Sequence, residues 1–279
     1  MICLNGYLGM GKYLKNMLIK KWKSRIKKLI LLTLKFINIF TKLIPGALFL
    51  TSSKIIILFR TYSNNPKKDL ILLLNIKDEI EKIINNRALA YGKGEHPKHK
   101  LTEYHQFFIN NIFDGESVID IGCGYGSVSR SIAKAKSNSK ILGIDNDKTR
   151  LQQALESENP SNLHFIYGDA IQYPFKENWD VVVLSNVLEH IESRVEFLLS
   201  LLNSNIKAKR FLIRVPCYER DWQVPLRDHF GVNYFTDSDH KIEHKLLEFC
   251  SEINQAKLEI SKIITNWGEI WAVCIPVNE

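Results

Sequence analysis

Ser117-Val118-Ile119-Asp120-Ile121-Gly122-Cys123-Gly124-Tyr125-Gly126 decides how this chain of 279 residues folds. The first five residues are short, apolar and rich in β-branched side chains, the composition of a buried strand. Three glycines follow at alternate positions, permitting a tight turn and a close approach of backbone to a ligand. A helical rhythm then takes over at residues 127–136. Dinucleotides are also held by glycine loops, but two details separate the cases. The dinucleotide pattern wants its third glycine at position 127, where this chain has Ser127. Asp120, two residues before the first glycine, would repel a pyrophosphate and attract a cationic ligand end.

Outward from this loop, strand and helix alternate. Residues 117–121, 141–145, 163–167, 181–186 and 211–215 read as strands, with helical stretches at 127–136, 148–156 and 191–202. Strands linked in this way imply βαβ crossovers and a doubly wound, mostly parallel α/β sheet covered on both faces. Residues 258–265 and 270–275 break the alternation. They are strand-like runs joined by Asn266-Trp267-Gly268-Glu269, a hairpin turn that adds one antiparallel strand. Helical spacing is also expected at 69–88 and 102–113.

The carboxyl ends of the strands carry the chemistry. Asp145 closes the second, followed by Asn146, where an acid accepts hydrogen bonds from ribose hydroxyls. Asp169 closes the third and can take the exocyclic amine of adenine, with the Ala170 amide meeting a ring nitrogen. Asn186 lies just past the fourth, at the edge where open α/β sheets bind ligands. One such residue reads as a cap or turn residue, whereas four in order read as a site.

The segments VIDIGCGYG, ILGID, YGDA and SNVLEHI, in this order, resemble those of class I S-adenosylmethionine-dependent methyltransferases. A wider likeness covers residues 69–276. It rests on YGKGEHPKHKLTEYHQFF, IRVPCYERDW, a D-x-x-H-x-x-E stretch and WGEIWAV, and points to a less characterised group of bacterial methyltransferase-like proteins. The resemblance implies a Rossmann-like, seven-stranded sheet whose last strand is antiparallel. It also implies S-adenosyl-L-methionine as cofactor, held by Asp120, Gly122, Cys123, Gly124, Asp145, Asn146, Asp169, Ala170 and Asn186. Asp120 would then face the ammonium of the methionine moiety.

Methyl transfer from a sulfonium is an in-line displacement, governed largely by positioning in a desolvated pocket. A hydroxyl acceptor must also lose a proton, and His190 is placed to take it, with helix capping or pocket shaping as its other role. Asp237, His240 and Glu243 are expected at the start of a helix, where His240 and Glu243 share one face. They could ligate a metal or grip a polyol. A capping and salt-bridge cluster is the commoner outcome, so no metal is assigned. Arg214, Arg220 and Asp221 are expected at the same mouth, and His96, Lys98 and His99 as a lid or, equally, a solvated basic loop. Ser185-Asn186-Val187-Leu188 lacks the Asn/Asp-Pro-Pro-aromatic pattern of enzymes that methylate amino groups on adenine, cytosine or glutamine. The expected acceptor is a hydroxyl or similar group of a glycan, lipid or small metabolite, with RNA as the alternative.

Charge is unevenly spread. Residues 1–68 hold 14 Lys and Arg and no Asp or Glu, while the remainder holds 24 basic and 30 acidic residues. This divides the chain into a basic apolar arm with helical character (1–68), a helical lid or cap segment (69–114) and a methyltransferase domain (115–279). Such an arm contacts a polyanion, here an anionic membrane surface in preference to nucleic acid. Within its apolar stretch 29–59 the longest uncharged run, residues 43–53, is far short of the ~20 residues that span a bilayer. Lysines among Leu, Ile, Phe and Trp22 suit a helix lying in the interface, and equally an arm packed on the body with its lysines solvated. A cofactor-binding scaffold anchored through the arm is the non-enzymatic alternative. Cys3, Cys123, Cys217, Cys250 and Cys274 are scattered without a CxxC pair, which suits a reducing compartment and a cytoplasmic, membrane-peripheral protein.

Overall fold

The computed structural model describes residues 32–33, 42–94, 96–175 and 178–277. Most of the basic stretch, with Trp22, lies outside them. The chain divides into two compact units, Met1–Leu74 and Asn75–Glu279. In the first, α1 (Gly46–Thr61) buries none of its residues, although Leu48, Phe49, Ile56 and Phe59 are large and apolar. The next helix, α2 (Pro66–Tyr91), opens on a built cap. Asn65 Oδ1 accepts from the Lys68 amide at 3.1 Å, and Pro66 sits where no amide partner is needed. Ser63 adds its amide and hydroxyl to the Asp69 carboxylate. The boundary between the units falls inside α2. No helix of the described residues is long and apolar enough to cross a membrane.

The second unit is built on a seven-stranded sheet: β1 (Ser117–Ile121), β2 (Lys140–Asp145), β3 (Leu163–Tyr167), β4 (Val181–Ser185), β5 (Arg210–Pro216), β6 (Leu258–Asn266) and β7 (Glu269–Pro276). Their order is β3-β2-β1-β4-β5-β7-β6. β1 to β5 pair in parallel, and β7 runs antiparallel to both its neighbours, β5 and β6. Trp267 and Gly268 both take positive φ, 53° and 76°, which lets the β6–β7 turn follow the strand twist. The expected seven-stranded α/β sheet with one antiparallel strand is therefore present.

Both faces are covered, as a parallel sheet requires. Helices α3 (Lys98–Leu101), α4 (Tyr104–Asn110), α5 (Ser127–Ala135), α6 (Lys148–Glu156), α7 (Arg194–Asn203), α8 (Gln223–Phe230) and α9 (Leu246–Gln255) surround the sheet. Ile119, Val182, Leu184 and Phe211 pack in one apolar cluster with Leu198 and Leu201 of α7 and Phe249 of α9. Alternate strand residues Val118, Val181, Val183 and Leu212 pack in the other, with Phe108 of α4 and Ile132 of α5.

Two local expectations are corrected. Residues 237–243 are turns and irregular chain, not the start of a helix, and α9 begins at Leu246. The reason is local competition for hydrogen bonds: Glu243 accepts from the Thr236 amide at 2.6 Å and from its hydroxyl at 3.0 Å. The helix after β4 begins at Arg194 instead of 191, because Leu188–His190 forms a single 3₁₀ turn.

Candidate functional site

After β1 the chain turns through Gly122, Cys123 and Gly124 into α5, and β2 holds this turn in place. The Gly122 amide donates to the Ile144 carbonyl at 2.8 Å, and the Gly124 amide to Asp145 Oδ2 at 2.7 Å. Asp145 Oδ1 accepts from the Asp147 amide at 2.7 Å, so one buried carboxylate ties two loops together. Gly122 has φ 67°, and a Cβ there would lie 2.9 Å from Val187 Cγ2. At Gly124 (φ 54°) a Cβ would meet nothing within 4 Å, leaving that backbone open. Asp120 is buried at the floor, where it accepts from the Ser129 hydroxyl at 2.5 Å. Burial pushes its carboxyl up to about 7, against the Ser129 hydrogen bond and helped by the charge of Asp145.

Two cavities meet at this turn. The larger, of about 730 Å³, is lined by Gly122, Asp145, Asn146, Asp169, Ala170 and Asn186. The smaller, of about 270 Å³, is lined by Asp120, Gly122, Cys123, Gly124 and Asn186, with Tyr104 and Arg214. Gly122, Arg150, Asn186 and His190 line both. All nine residues expected at the cofactor thus come together around adjoining spaces. Asn186 holds a left-handed φ of 57°, and its buried Oδ1 has no hydrogen-bond partner among the described residues. Burial lowers the pKa of His190, against the pull of Asp239, whose Oδ2 lies 3.3 Å from Nδ1.

The remaining expected residues divide. Asp237 and His240 line the smaller cavity. Glu243 does not reach it: it is 2% exposed, and Thr236, His240 Nδ1 (3.2 Å) and Arg220 Nη1 (2.6 Å) occupy its oxygens. Arg214 faces the smaller cavity, but its guanidinium pairs with Glu269 through two nitrogens and lies 3.8 Å over the Tyr104 ring. It fixes a wall instead of offering a free charge. Arg220 and Asp221 line neither cavity but a third, of about 710 Å³. His96 lines none of the three; it bonds Asn85 Oδ1 at 3.3 Å and accepts from the Lys98 amide. His99 Nδ1 lies 2.5 Å from the Tyr104 hydroxyl, so the expected lid meets the site wall through Tyr104.

Sequence reasoning missed Glu189, Asp239 and Tyr104. Glu189 is wholly buried with both carboxylate oxygens unpartnered among the described residues, and burial pushes its pKa up to about 8. An acid directly after Val187 and Leu188, close to the end of an apolar strand, was the available signal.

The family described as a methyltransferase domain matches residues 112–268, which include the glycine turn, all four strand-end residues and the β6–β7 turn. This chain belongs to that family. The chain is similar to the mitochondrial ubiquinone biosynthesis O-methyltransferase of Schizosaccharomyces pombe, 31% identical over 97 residues, 33% of this chain and 35% of that protein. It is also similar to the (S)-tetrahydroprotoberberine N-methyltransferase of Eschscholzia californica, 28% identical over 85 residues, 29% of this chain and 24% of that one. The matches thus span about a third or less of these relatives' lengths. A putative methyltransferase from Haloferax volcanii, solved in complex with the Trm112 activator, shares the fold. Its TM-score is 0.53 at 17% identity, covering 68% of this chain and 95% of that one. S-adenosylmethionine is the cofactor of the family, and the open Gly124 backbone and orphaned Asn186 Oδ1 suit such a ligand.

Proposed function

We propose that this methyltransferase acts on a hydroxyl or similar group of a glycan, lipid or small metabolite, with His190 as base. The supporting observation is the position of His190 at the junction of the two cavities. Asp145 and Asn146 would take the ribose hydroxyls, Asp169 and Ala170 the adenine, and Asp120 the ammonium, with Gly122, Cys123, Gly124 and Asn186 shaping the space between. When bound, the cofactor supplies an electrophilic methyl group. His190, its pKa lowered by burial, is a neutral imidazole near neutrality and can accept the acceptor's proton. Tyr104 and the Arg214–Glu269 pair hold part of the smaller cavity's wall, so the acceptor is positioned by a rigid surface.

Relatives named as O- and N-methyltransferases leave both acceptor atoms represented, and a neutral imidazole favours the oxygen, which must lose its proton. The basic arm and the unburied apolar surface of α1 support an acceptor presented at an anionic membrane. Calorimetry with S-adenosylhomocysteine and NAD, followed by labelled methyl transfer to lipid, glycan, small-metabolite and RNA fractions, tests the reading. Binding of NAD without S-adenosylhomocysteine, or label entering RNA alone, would overturn it.

A further inference from the structure

We infer that Glu189, His190 and His240 form a binding site for a divalent transition-metal ion on the wall of the smaller cavity. Their ligand atoms lie within 4.8 Å of one another. His240 belongs to a second such group with Asp237 and Asp239, so further oxygen donors stand on the same side. His190 and His240 line the cavity directly, with ring centroids 4.8 Å apart and planes nearly perpendicular.

Glu189 carries the inference. Its side chain is 0% exposed, and neither carboxylate oxygen has a hydrogen-bond partner among the described residues. A buried carboxyl with no donor is costly to retain, and a cation supplies what the protein around it does not. The backbone is fixed on both sides of the cluster: the Lys241 amide donates to the Glu189 carbonyl at 2.7 Å, pinning the loop of His240 against the turn after β4.

The imidazoles are oriented for ligation. His240 Nδ1 lies 3.2 Å from Glu243 Oε1, and His190 Nδ1 lies 3.3 Å from Asp239 Oδ2. A ligating histidine typically has its other nitrogen beside a carboxylate, which fixes the ring. Glu243 is itself held by Arg220 and Thr236, so the orienting acid is rigid. Two imidazoles and a carboxylate favour zinc, iron, cobalt or nickel over magnesium or calcium, which prefer oxygen alone. In the loaded protein His190 would be a ligand and not a base, so its role as base belongs to the metal-free protein. The site itself does not rest on the proposed acceptor.

The test uses the full chain, stripped with chelator and titrated with Co²⁺ and Zn²⁺ by visible absorption and calorimetry, with Mg²⁺ as the contrasting ion. The expected result is one equivalent of Co²⁺ with a ligand-field band that Zn²⁺ removes. Glu189→Gln and His240→Gln are each expected to weaken binding at least tenfold, with thermal unfolding confirming that the variants are folded. Absence of Co²⁺ and Zn²⁺ binding in the parent, binding of Mg²⁺ alone, or parent-like Zn²⁺ affinity in folded Glu189→Gln would overturn the inference. Should Glu189→Gln fail to fold, His240→Gln decides. S-adenosylhomocysteine binding by the parent is read separately, so failure of the proposed function leaves the metal result intact.

Discussion

Asp145 closes a strand and also holds two neighbouring loops through its buried oxygens, so its replacement touches folding as well as ligand binding. Sequence position alone suggests a loop acid removable without structural cost. The hydrogen bonds from Gly124 and Asp147 correct that expectation. Asp145→Ala is expected to lower stability in urea by about 1–3 kcal/mol and to weaken S-adenosylhomocysteine binding by a similar amount. Asp169 is exposed, and among the described residues its carboxylate accepts a local turn bond from the Ile171 amide, so Asp169→Ala should weaken binding without moving the unfolding midpoint. Asp120 sets a pH dependence. Its folded pKa of about 7 lies above that of an unfolded aspartate, so the native state holds a proton the unfolded state lacks between those values. Its contribution to stability therefore declines as pH rises from about 4 through 7, and Asp120→Asn should flatten that slope. Cofactor affinity should run the other way, because the ammonium needs an ionised partner. Calorimetry between pH 5.5 and 8 should show affinity falling below pH 7 by up to about tenfold per unit in the parent, and little change in D120N.

At the scale of elements, the strands were legible because apolar β-branched runs, glycines and hairpin residues agree with one another. Asn266-Trp267-Gly268-Glu269 announces the antiparallel strand, and Asp120, Asp145, Asp169 and Asn186 mark the candidate site, because each lies at or near the carboxyl end of a readable strand. What escaped reading depends on contacts across loops. Glu189 and His240 are some fifty positions apart in sequence and meet only because residues 231–245 fold back over the turn after β4. Likewise, Arg214 reads as a substrate ligand until Glu269, from the neighbouring strand β7, is seen to claim it. That pair joins β5, β7 and the Tyr104 ring in a largely buried setting. Glu269→Ala would strand the guanidinium, and should cost about 3 kcal/mol in urea unfolding, as breaking buried pairs generally does. Glu269→Gln should cost less, because one oxygen remains to accept.

At the scale of the whole molecule, charge and chemistry occupy different stretches: the net positive charge lies in 1–68, and the nine expected cofactor residues lie between 120 and 186. A chain starting at Tyr62 keeps the Ser63 and Asn65 caps of α2, and is expected to retain S-adenosylhomocysteine binding while losing affinity for anionic vesicles. At about 1 kcal/mol per basic residue near a charged surface, loss of most of the arm should be plain in co-sedimentation over a salt series. Unchanged vesicle binding would remove the membrane role. The strand order carries a further consequence, for synthesis. β7 is the last strand made, yet it lies between β5 and β6. While the ribosome is still translating residues 217–268, the edge of β5 has been made but its partner has not. The nascent chain therefore passes through a stage in which an apolar strand edge is open to foreign pairing, the kind of edge that chaperones shield.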